Sequence, residues 1–288
     1  MGIVDRDGHP KEIYHCVREV FGSPLLEEPV ESWQPQVAIY TPRLQEPGST
    51  YLDARLDSIA GLFYAHVLLE QAHIPHEFTA LPREHHKLLV CPSVARLTLG
   101  DRAVLEDYVA AGGCLYISIA DATQALPEEE FLGVELIDVR IGEYLTPVLS
   151  TTTGTSIASF RDQSPAFISH AFGSGQVLTL AFPLELLLNQ TGSLDATSWH
   201  IFYGKLADMA GVLLRHDCSR PEVALTAFHT GTDGYYLILN HSDIPVRDNF
   251  VVRDPDGRVA AAQEFLLRPR EAVLNRFQVA GRGGKDGR

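Results

Sequence analysis

The most constraining feature of the sequence is the alternation of short apolar runs with helical patterns between residues 34 and 215. In chain order we predict a strand at 37–41, a helix at 52–73, strands at 76–79 and 87–91, a helix capped by Thr98 and Asp101 and ended by Gly112-Gly113, and a strand at 114–119. Strands that alternate with helices favour a parallel sheet covered on both faces. The sequence therefore predicts an α/β domain.

After residue 124 the predicted elements are mostly shorter strands. They lie at 134–139, 145–150 and 156–160, followed by a hairpin at 170–182 that turns through Gly173-Ser174-Gly175. A helix predicted at 196–215 closes this part of the chain. We therefore expect the α/β domain to span residues 34–218 and to carry an added β portion.

Two long predicted helices have apolar residues spaced by three and four, which places these side chains on one face. The inward residues are expected to be Leu52, Leu56, Ile59, Phe63 and Val67 in the first helix, and Trp199, Phe202, Tyr203, Leu206 and Leu213 in the second.

The two flanks of the α/β domain differ in pattern. In residues 1–33, Pro10 precedes an amphipathic helix at 11–21 that ends before Gly22. Five strands are predicted at 223–229, 235–240, 248–253, 259–267 and 272–279, with Asp-Gly turn signals between them. We expect residues 219–280 to form a small antiparallel β-sandwich, and residues 281–288 to form a flexible tail.

Composition narrows the class of partner. The chain carries 23 Lys and Arg against 37 Asp and Glu, a formal net charge of −14, which argues against nucleic acid or an anionic membrane as a partner. Four cysteines in 288 residues are typical of a reducing compartment rather than of a disulfide scaffold. The first residues also lack the basic and then apolar layout of a secretory signal, so a cytoplasmic location is expected.

A metal site is the first kind of chemistry to weigh, because the chain has 12 histidines. Four of them, His73, His76, His85 and His86, lie within 14 residues. Neither a Cys-x-x-Cys pair nor a His-Glu-x-x-His helix accompanies them. We therefore expect surface and loop histidines, with no metal and no cofactor.

A nucleophilic cysteine is the second possibility. Cys91 ends a predicted strand, near the place where an α/β sheet holds its ligand. Its neighbours Val90 and Pro92 are not the glycines of a sharp nucleophile turn, and Pro92 removes a backbone N–H that an oxyanion hole would use. Cys114 opens a predicted buried strand. Both thiols are expected to be inert, and a small-molecule enzyme that uses Cys91 remains the alternative.

Paired carboxylates and phosphate-binding loops are the remaining possibilities. Glu128-Glu129-Glu130 is interpreted as a solvated loop or helix start, and Gly173-Ser174-Gly175 lies in a hairpin rather than between a strand and a helix. No catalytic residue is predicted. Sugar binding by the sandwich is a further alternative, although Tyr235 and Tyr236 alternate along one strand, so only one of them can face outward.

Several segments together resemble the C-terminal portion of β-galactosidase-like glycoside hydrolases of family 42. Residues 2–11, with Tyr14 and Val17, look like the last loop and helix of a (β/α)₈ barrel. Residues 37–215 look like that family's trimerisation domain, which has an amidotransferase-like, flavodoxin-type α/β fold without the amidotransferase nucleophile. Residues 235–242 resemble a strand of its terminal β-domain. The matching pieces of the α/β part are residues 88–92, 105–109 with 112–115, 131–134 and 173–177.

The resemblance implies a function without catalysis. In the family, both catalytic glutamates lie at barrel strand ends upstream of the matching segment, and no position here corresponds to either. The resemblance thus implies a non-catalytic assembly region of a glycoside hydrolase, with residues 1–33 as the remnant of a barrel. It also implies a homo-oligomer, with a trimer expected, or association with a chain that bears a barrel.

Overall fold

A computed structural model describes residues 31–42, 52–123, 129–191, 198–230 and 233–278. The helix predicted at 11–21 and the tail predicted at 281–288 lie outside these ranges. None of the described helices is long and apolar enough to cross a membrane.

Sixteen strands and five helices make up the described part of the chain. The strands are Glu31–Ser32 (β1), Val37–Tyr40 (β2), His76–Thr79 (β3), Leu88–Val94 (β4), Cys114–Ile119 (β5), Val134–Ile141 (β6), Leu145–Thr151 (β7), Thr155–Ser159 (β8), Pro165–Phe172 (β9), Gly175–Leu180 (β10), His216–Cys218 (β11), Val223–Thr230 (β12), Asp233–Asn240 (β13), Val246–Arg253 (β14), Val259–Leu267 (β15) and Ala272–Gln278 (β16). The helices are Leu52–Gln71 (α1), Leu99–Ala110 (α2), Glu129–Leu132 (α3), Leu184–Thr191 (α4) and Trp199–Met209 (α5).

The centre of the α/β part is a seven-stranded sheet in the order β3-β2-β4-β5-β10-β9-β8. Its first five strands are parallel, as the alternating pattern predicts. β9 joins β10 as an antiparallel hairpin through the predicted glycine turn, and β8 pairs with β9. A separate antiparallel pair, β6 and β7, is the added β portion.

Helices cover both faces of this sheet. Successive side chains of a strand point to opposite faces, so each central strand contributes to two cores. In β2, Val37 and Ile39 enter one apolar core, with residues of α1, α4 and α5. Ala38 and Tyr40 enter the other, with residues of α2 and α3. The prediction of a parallel sheet buried on both faces is confirmed.

The inward face of α1 differs from the predicted one. Ala65, Leu68 and Leu69 are fully buried against the sheet, whereas Ile59 and Phe63 of the predicted stripe are 50% and 54% exposed. The helix carries apolar residues on two faces, and the face with Ala65, Leu68 and Leu69 packs on the strands. Of the predicted stripe, Ile59 and Phe63 therefore face away from the core and Val67 is half-buried, whereas the side chains of Leu52 and Leu56 lie outside the described ones.

Helix α2 agrees with its predicted signals. Thr98 accepts a hydrogen bond from the backbone N–H of Asp101, and the Asp101 carboxylate accepts one from the backbone N–H of Thr98, which forms a capping box. Leu105, Tyr108 and Val109 are buried, and Gly112 follows the helix with a left-handed φ of 111°.

Two predicted ends are wrong. Strand β4 continues past Pro92 to Val94, because its pairing with β5 shifts register between Cys91 and Val94 and so does not require the missing N–H of proline. Helix α5 ends at Met209 rather than near residue 215, since Gly211 adopts a left-handed φ of 65°. Trp199, expected to face inward, is 38% exposed.

The C-terminal part is a sandwich of two antiparallel sheets. Their strand orders are β1-β12-β13-β16 and β11-β14-β15. Tyr236, Phe250 and Phe265 pack between them, together with Trp33. The sandwich thus takes in β1 and β11, which lie outside the predicted range of 219–280.

Candidate functional site

The carboxyl edge of the parallel strands is the first place to seek a site, because open α/β sheets bind ligands where the strand order reverses. Here β3 and β4 lie on opposite sides of β2, so the reversal falls between the ends of β2 and β4. Two polar residues lie at this edge: Ser93, the second-last residue of β4, and Ser118, the second-last residue of β5.

Cys91 does not form a reactive site at this edge. Its side chain is fully buried in the core that contains Leu89 and Leu105. Burial raises the pKa of the Cys91 thiol far above its usual range, and the negative charges of Asp101 and Glu185 raise it further. Cys114 lies at the opposite edge, and burial raises its pKa to about 12. Neither thiol is a thiolate near neutral pH, so the structure argues against nucleophilic chemistry at Cys91.

Ser93 has the backbone geometry of an elbow. Its φ is +46°, an unusual value for a residue with a side chain, and it lies where β4 bulges away from β5. Its backbone N–H donates to Ser118 Oγ at 2.5 Å. The Ser93 hydroxyl donates to Glu185 Oε2 at 2.6 Å and accepts a bond from the Leu186 N–H. The elbow is thus tied to β5 and to the start of α4.

Glu185 lies at the centre of a buried network. Its Oε2 accepts hydrogen bonds from Ser93 and from Ser118, both at 2.6 Å. Its Oε1 accepts from Tyr116 at 3.0 Å and from Tyr203 at 2.7 Å. Burial and the charge of Glu185 raise the pKa of both tyrosines well above its usual value, so they remain donors. We call these five residues the Glu185 clamp.

The Glu185 clamp is closed to substrate. Glu185 and Ser118 have no exposed surface and Ser93 is 2% exposed. None of the three lines the cavities of about 900, 190 and 210 Å³ among the described residues. Glu185 lies within reach of the Ser93 hydroxyl as a base would, but both groups are buried, so the described residues leave a substrate no access to Ser93. The arrangement instead joins β4, β5, α4 and α5.

Sequence reasoning missed the clamp for a clear reason. The four partners of Glu185 lie 92, 69, 67 and 18 positions away from it along the chain. The local signal is one acidic residue inside the apolar segment Leu184–Leu188, and a buried carboxylate in such a segment needs several hydrogen-bond donors.

A large cavity lies at the other edge of the sheet. It has a volume of about 900 Å³ and is an open groove at the amino ends of β4, β5 and β10. Lys87, Tyr108 and Gln176 are among the residues that line it. The edge where α/β proteins usually bind ligands is therefore filled, and the open groove lies at the opposite edge.

The four predicted histidines do not meet at one point. His76 lies with His66 and Glu70, whereas His85 and His86 lie with Glu77. His73 borders a cavity of about 190 Å³ between the α/β part and the sandwich, opposite His216 of β11. The expectation of surface histidines is wrong for His73 and His86, which are 5% and 2% exposed.

The predicted acidic run and sandwich aromatics lie as follows. Glu129 and Glu130 are exposed in the first turn of α3, as expected, and Glu128 lies outside the described residues. In the sandwich, Tyr236 is buried in the core, and Tyr235 on the other face stacks on Phe228 with ring centroids 5.6 Å apart. Both outer rings are half-buried.

Comparisons with known proteins identify the fold. No protein-family model and no curated protein matches the chain. A catalytic mutant of Gan42B, a GH42 β-galactosidase from G. stearothermophilus, matches 96% of this chain and 46% of its own, with a TM-score of 0.62 and 16% identity. The β-galactosidase from Bacillus circulans sp. alkalophilus matches 96% of this chain and 47% of its own, with a TM-score of 0.63 and 13% identity.

A related fold occurs in an enzyme of another activity, a fucosidase. α-L-fucosidase isoenzyme 2 from Paenibacillus thiaminolyticus matches 96% of this chain and 53% of its own, with a TM-score of 0.62 and 13% identity. This chain therefore spans about half the length of the solved structures that it resembles. The resemblance seen in the sequence is confirmed at the level of fold: the chain has the fold of part of a GH42 β-galactosidase.

Proposed function

We propose that the chain is a non-catalytic assembly or accessory region of a β-galactosidase-like glycoside hydrolase and serves carbohydrate metabolism in that role. The observation that carries this proposal is the Glu185 clamp. It fills the carboxyl edge of the sheet, where an α/β enzyme would hold its substrate. The proposal places the catalytic carboxylates in a barrel and none in the residues of this chain.

The strand order supports a finer assignment of the α/β domain. Numbered along the chain, the five parallel strands run 2-1-3-4-5 across the sheet. This is the order of flavodoxin-like doubly wound sheets. We propose that the α/β domain is an amidotransferase-like trimerisation domain and that the sandwich, which includes β11, is the terminal β-domain. The bulged elbow at Ser93, without a reactive thiol beside it, fits such a domain.

An exposed apolar surface supports self-association. Ile59 and Phe63 lie one turn apart on the outer face of α1, and Phe78 and Leu81 lie on and just after the edge strand β3. We call these residues the outer stripe. Each is between 50% and 56% exposed. The ring of His66 lies 6.0 Å from Phe78 and links the two parts. Exposed apolar patches of this kind mark interaction sites.

The occupant that we propose for the outer stripe is a second copy of this chain in a homo-oligomer, with a trimer as the expected state. Association with a chain that bears a barrel is the alternative. A cytoplasmic location is part of the proposal, because the described cysteines Cys91, Cys114 and Cys218 are free thiols. Nucleic acid and membrane partners do not fit a net charge of −14.

An activity assay tests the non-catalytic part of the proposal. The purified chain, incubated with 4-nitrophenyl β-galactoside, is expected to release no nitrophenolate above the buffer control. Release that recurs in independent preparations would contradict the proposal. A Ser93→Ala variant, with its folding verified by circular dichroism, would then show whether the serine elbow is the source, because that substitution removes the hydroxyl.

A further inference from the structure

Three potential metal ligands converge beside the edge strand β3. His66 and Glu70 are four residues apart on α1, so their side chains project from one face of the helix. His76 is the first residue of β3. One ligand atom from each residue lies within 4.8 Å of the other two. His66 Nδ1 and His76 Nε2 are 2.8 Å apart.

A hydrogen bond to the backbone fixes the ring orientation of His76 and leaves its Nε2 available to bind a metal. Its Nδ1 lies 2.8 Å from the carbonyl oxygen of Ile74. Because a carbonyl only accepts, Nδ1 carries the proton and Nε2 presents its lone pair toward His66. Histidines that bind metals are commonly held by this kind of backbone or carboxylate contact on the second nitrogen.

We propose that His66 Nδ1, His76 Nε2 and a Glu70 carboxylate oxygen bind one divalent transition-metal ion of the Zn²⁺ class. Two imidazole nitrogens and one carboxylate, with a fourth position for water, form a known type of zinc site. Ligand atoms about 2.1 Å from a tetrahedral ion stand about 3.4 Å apart. The two nitrogens therefore have to separate by about half an ångström. The Glu70 carboxylate, whose Oε1 lies 3.9 Å from His76 Nδ1, has to turn toward Nε2. Half-buried His66 and exposed Glu70 have the side-chain freedom for these adjustments.

In the metal-free chain, a proton lies between His66 Nδ1 and His76 Nε2, where the ion would bind. His66 Nδ1–H donates to His76 Nε2 in that state. Metal binding moves the His66 proton to its other nitrogen and requires no net loss of a proton from neutral imidazoles.

The second cluster of similar composition is a poorer candidate and serves as a control. His86 Nδ1 accepts from the backbone N–H of Arg83, and its Nε2 lies 2.8 Å from Glu77. Both nitrogens of His86 are thus engaged within the protein. His85 stands beside it and contacts Gln34.

The site would connect α1 to β3, two elements joined by a short turn. An ion held there connects the end of α1 to β3 across residues 72–75. Glu70 and His76 also border the cavity between the α/β part and the sandwich. This inference does not depend on the proposed assembly function.

Calorimetric titration of the full chain with ZnCl₂ tests the proposal. We expect one ion per chain. His66→Ala and Glu70→Gln are each expected to weaken binding by at least about tenfold. His85→Ala is expected to leave affinity within about twofold of the unchanged chain, since it removes a histidine from the control cluster. His76 is left intact because its side chain is buried.

Two outcomes would overturn the proposal directly. One is the absence of saturable heat when the unchanged chain is titrated, and the other is binding by His66→Ala and Glu70→Gln as tight as that of the unchanged chain. Loss of binding in His85→Ala would place the ion in the second cluster, and loss in His73→Ala would place it in the cavity between the two parts. Thermal melting in EDTA verifies that every variant is folded.

Discussion

Replacing Glu185 with alanine is expected to lower the free energy of unfolding by about 4 kcal/mol. The substitution removes the common acceptor of four hydroxyl donors, from Ser93, Ser118, Tyr116 and Tyr203. All four donors are buried, so each is left without its partner in a place that water does not reach. Urea denaturation followed by circular dichroism measures the change.

Two further variants make this result interpretable. Glu185→Gln keeps the size of the side chain and lets its amide donate to the hydroxyl oxygens, so a smaller loss of about 2 kcal/mol is expected. Glu264→Ala removes an exposed carboxylate that pairs with Arg247, and should cost less than about 1 kcal/mol. If Glu185→Ala cost no more than Glu264→Ala, the clamp would not hold the carboxyl edge of the sheet closed.

The second large effect is expected at the outer stripe. Phe63→Glu should convert the associated chain to a monomer, with association weakened by at least about 100-fold. The reason is that a carboxylate in an apolar contact loses its water without gaining a partner. Phe63 is 54% exposed, so the substitution is expected to leave the fold of the monomer unchanged. Size-exclusion chromatography with light scattering reports the mass.

A matched control lies elsewhere on the surface. Ile141, at the end of β6, is 88% exposed and lies outside the outer stripe. Ile141→Glu therefore adds the same charge on another side of the chain and should leave the mass unchanged. Association of Phe63→Glu at the level of the unchanged chain, or dissociation of Ile141→Glu, would remove the outer stripe from the account.

The sheet could be predicted from the sequence because its signals are local. Each central strand is a short apolar run, and the alternation with helices decides that the strands are parallel. The cap of α2 is equally local, since Thr98 and Asp101 are three residues apart. The sequence predicts that β4 stops at Pro92, because proline cannot donate to the sheet. The register shift that accommodates Pro92 depends on the pairing with β5, which is not local.

The choice of the α1 face that packs on the sheet depends on residues far away in the chain. The same is true of the candidate sites. Helical spacing places Ile59 and Phe63 on one face and Leu68 and Leu69 on another, and periodicity alone does not tell which face packs on the sheet. The Glu185 clamp and the histidine cluster are assembled by the fold. Spacing along the chain groups four histidines, namely His73, His76, His85 and His86. The structure separates them and brings His76 together with His66 and Glu70, which the spacing does not indicate.

The association state of the unchanged chain tests the central claim most directly. Sedimentation velocity over a range from low to high micromolar concentration should show a species heavier than one chain of 31.7 kDa, with three chains as the expected limit. The chain should remain folded throughout. A strict monomer at high micromolar concentration would contradict the account of this chain as an assembly region.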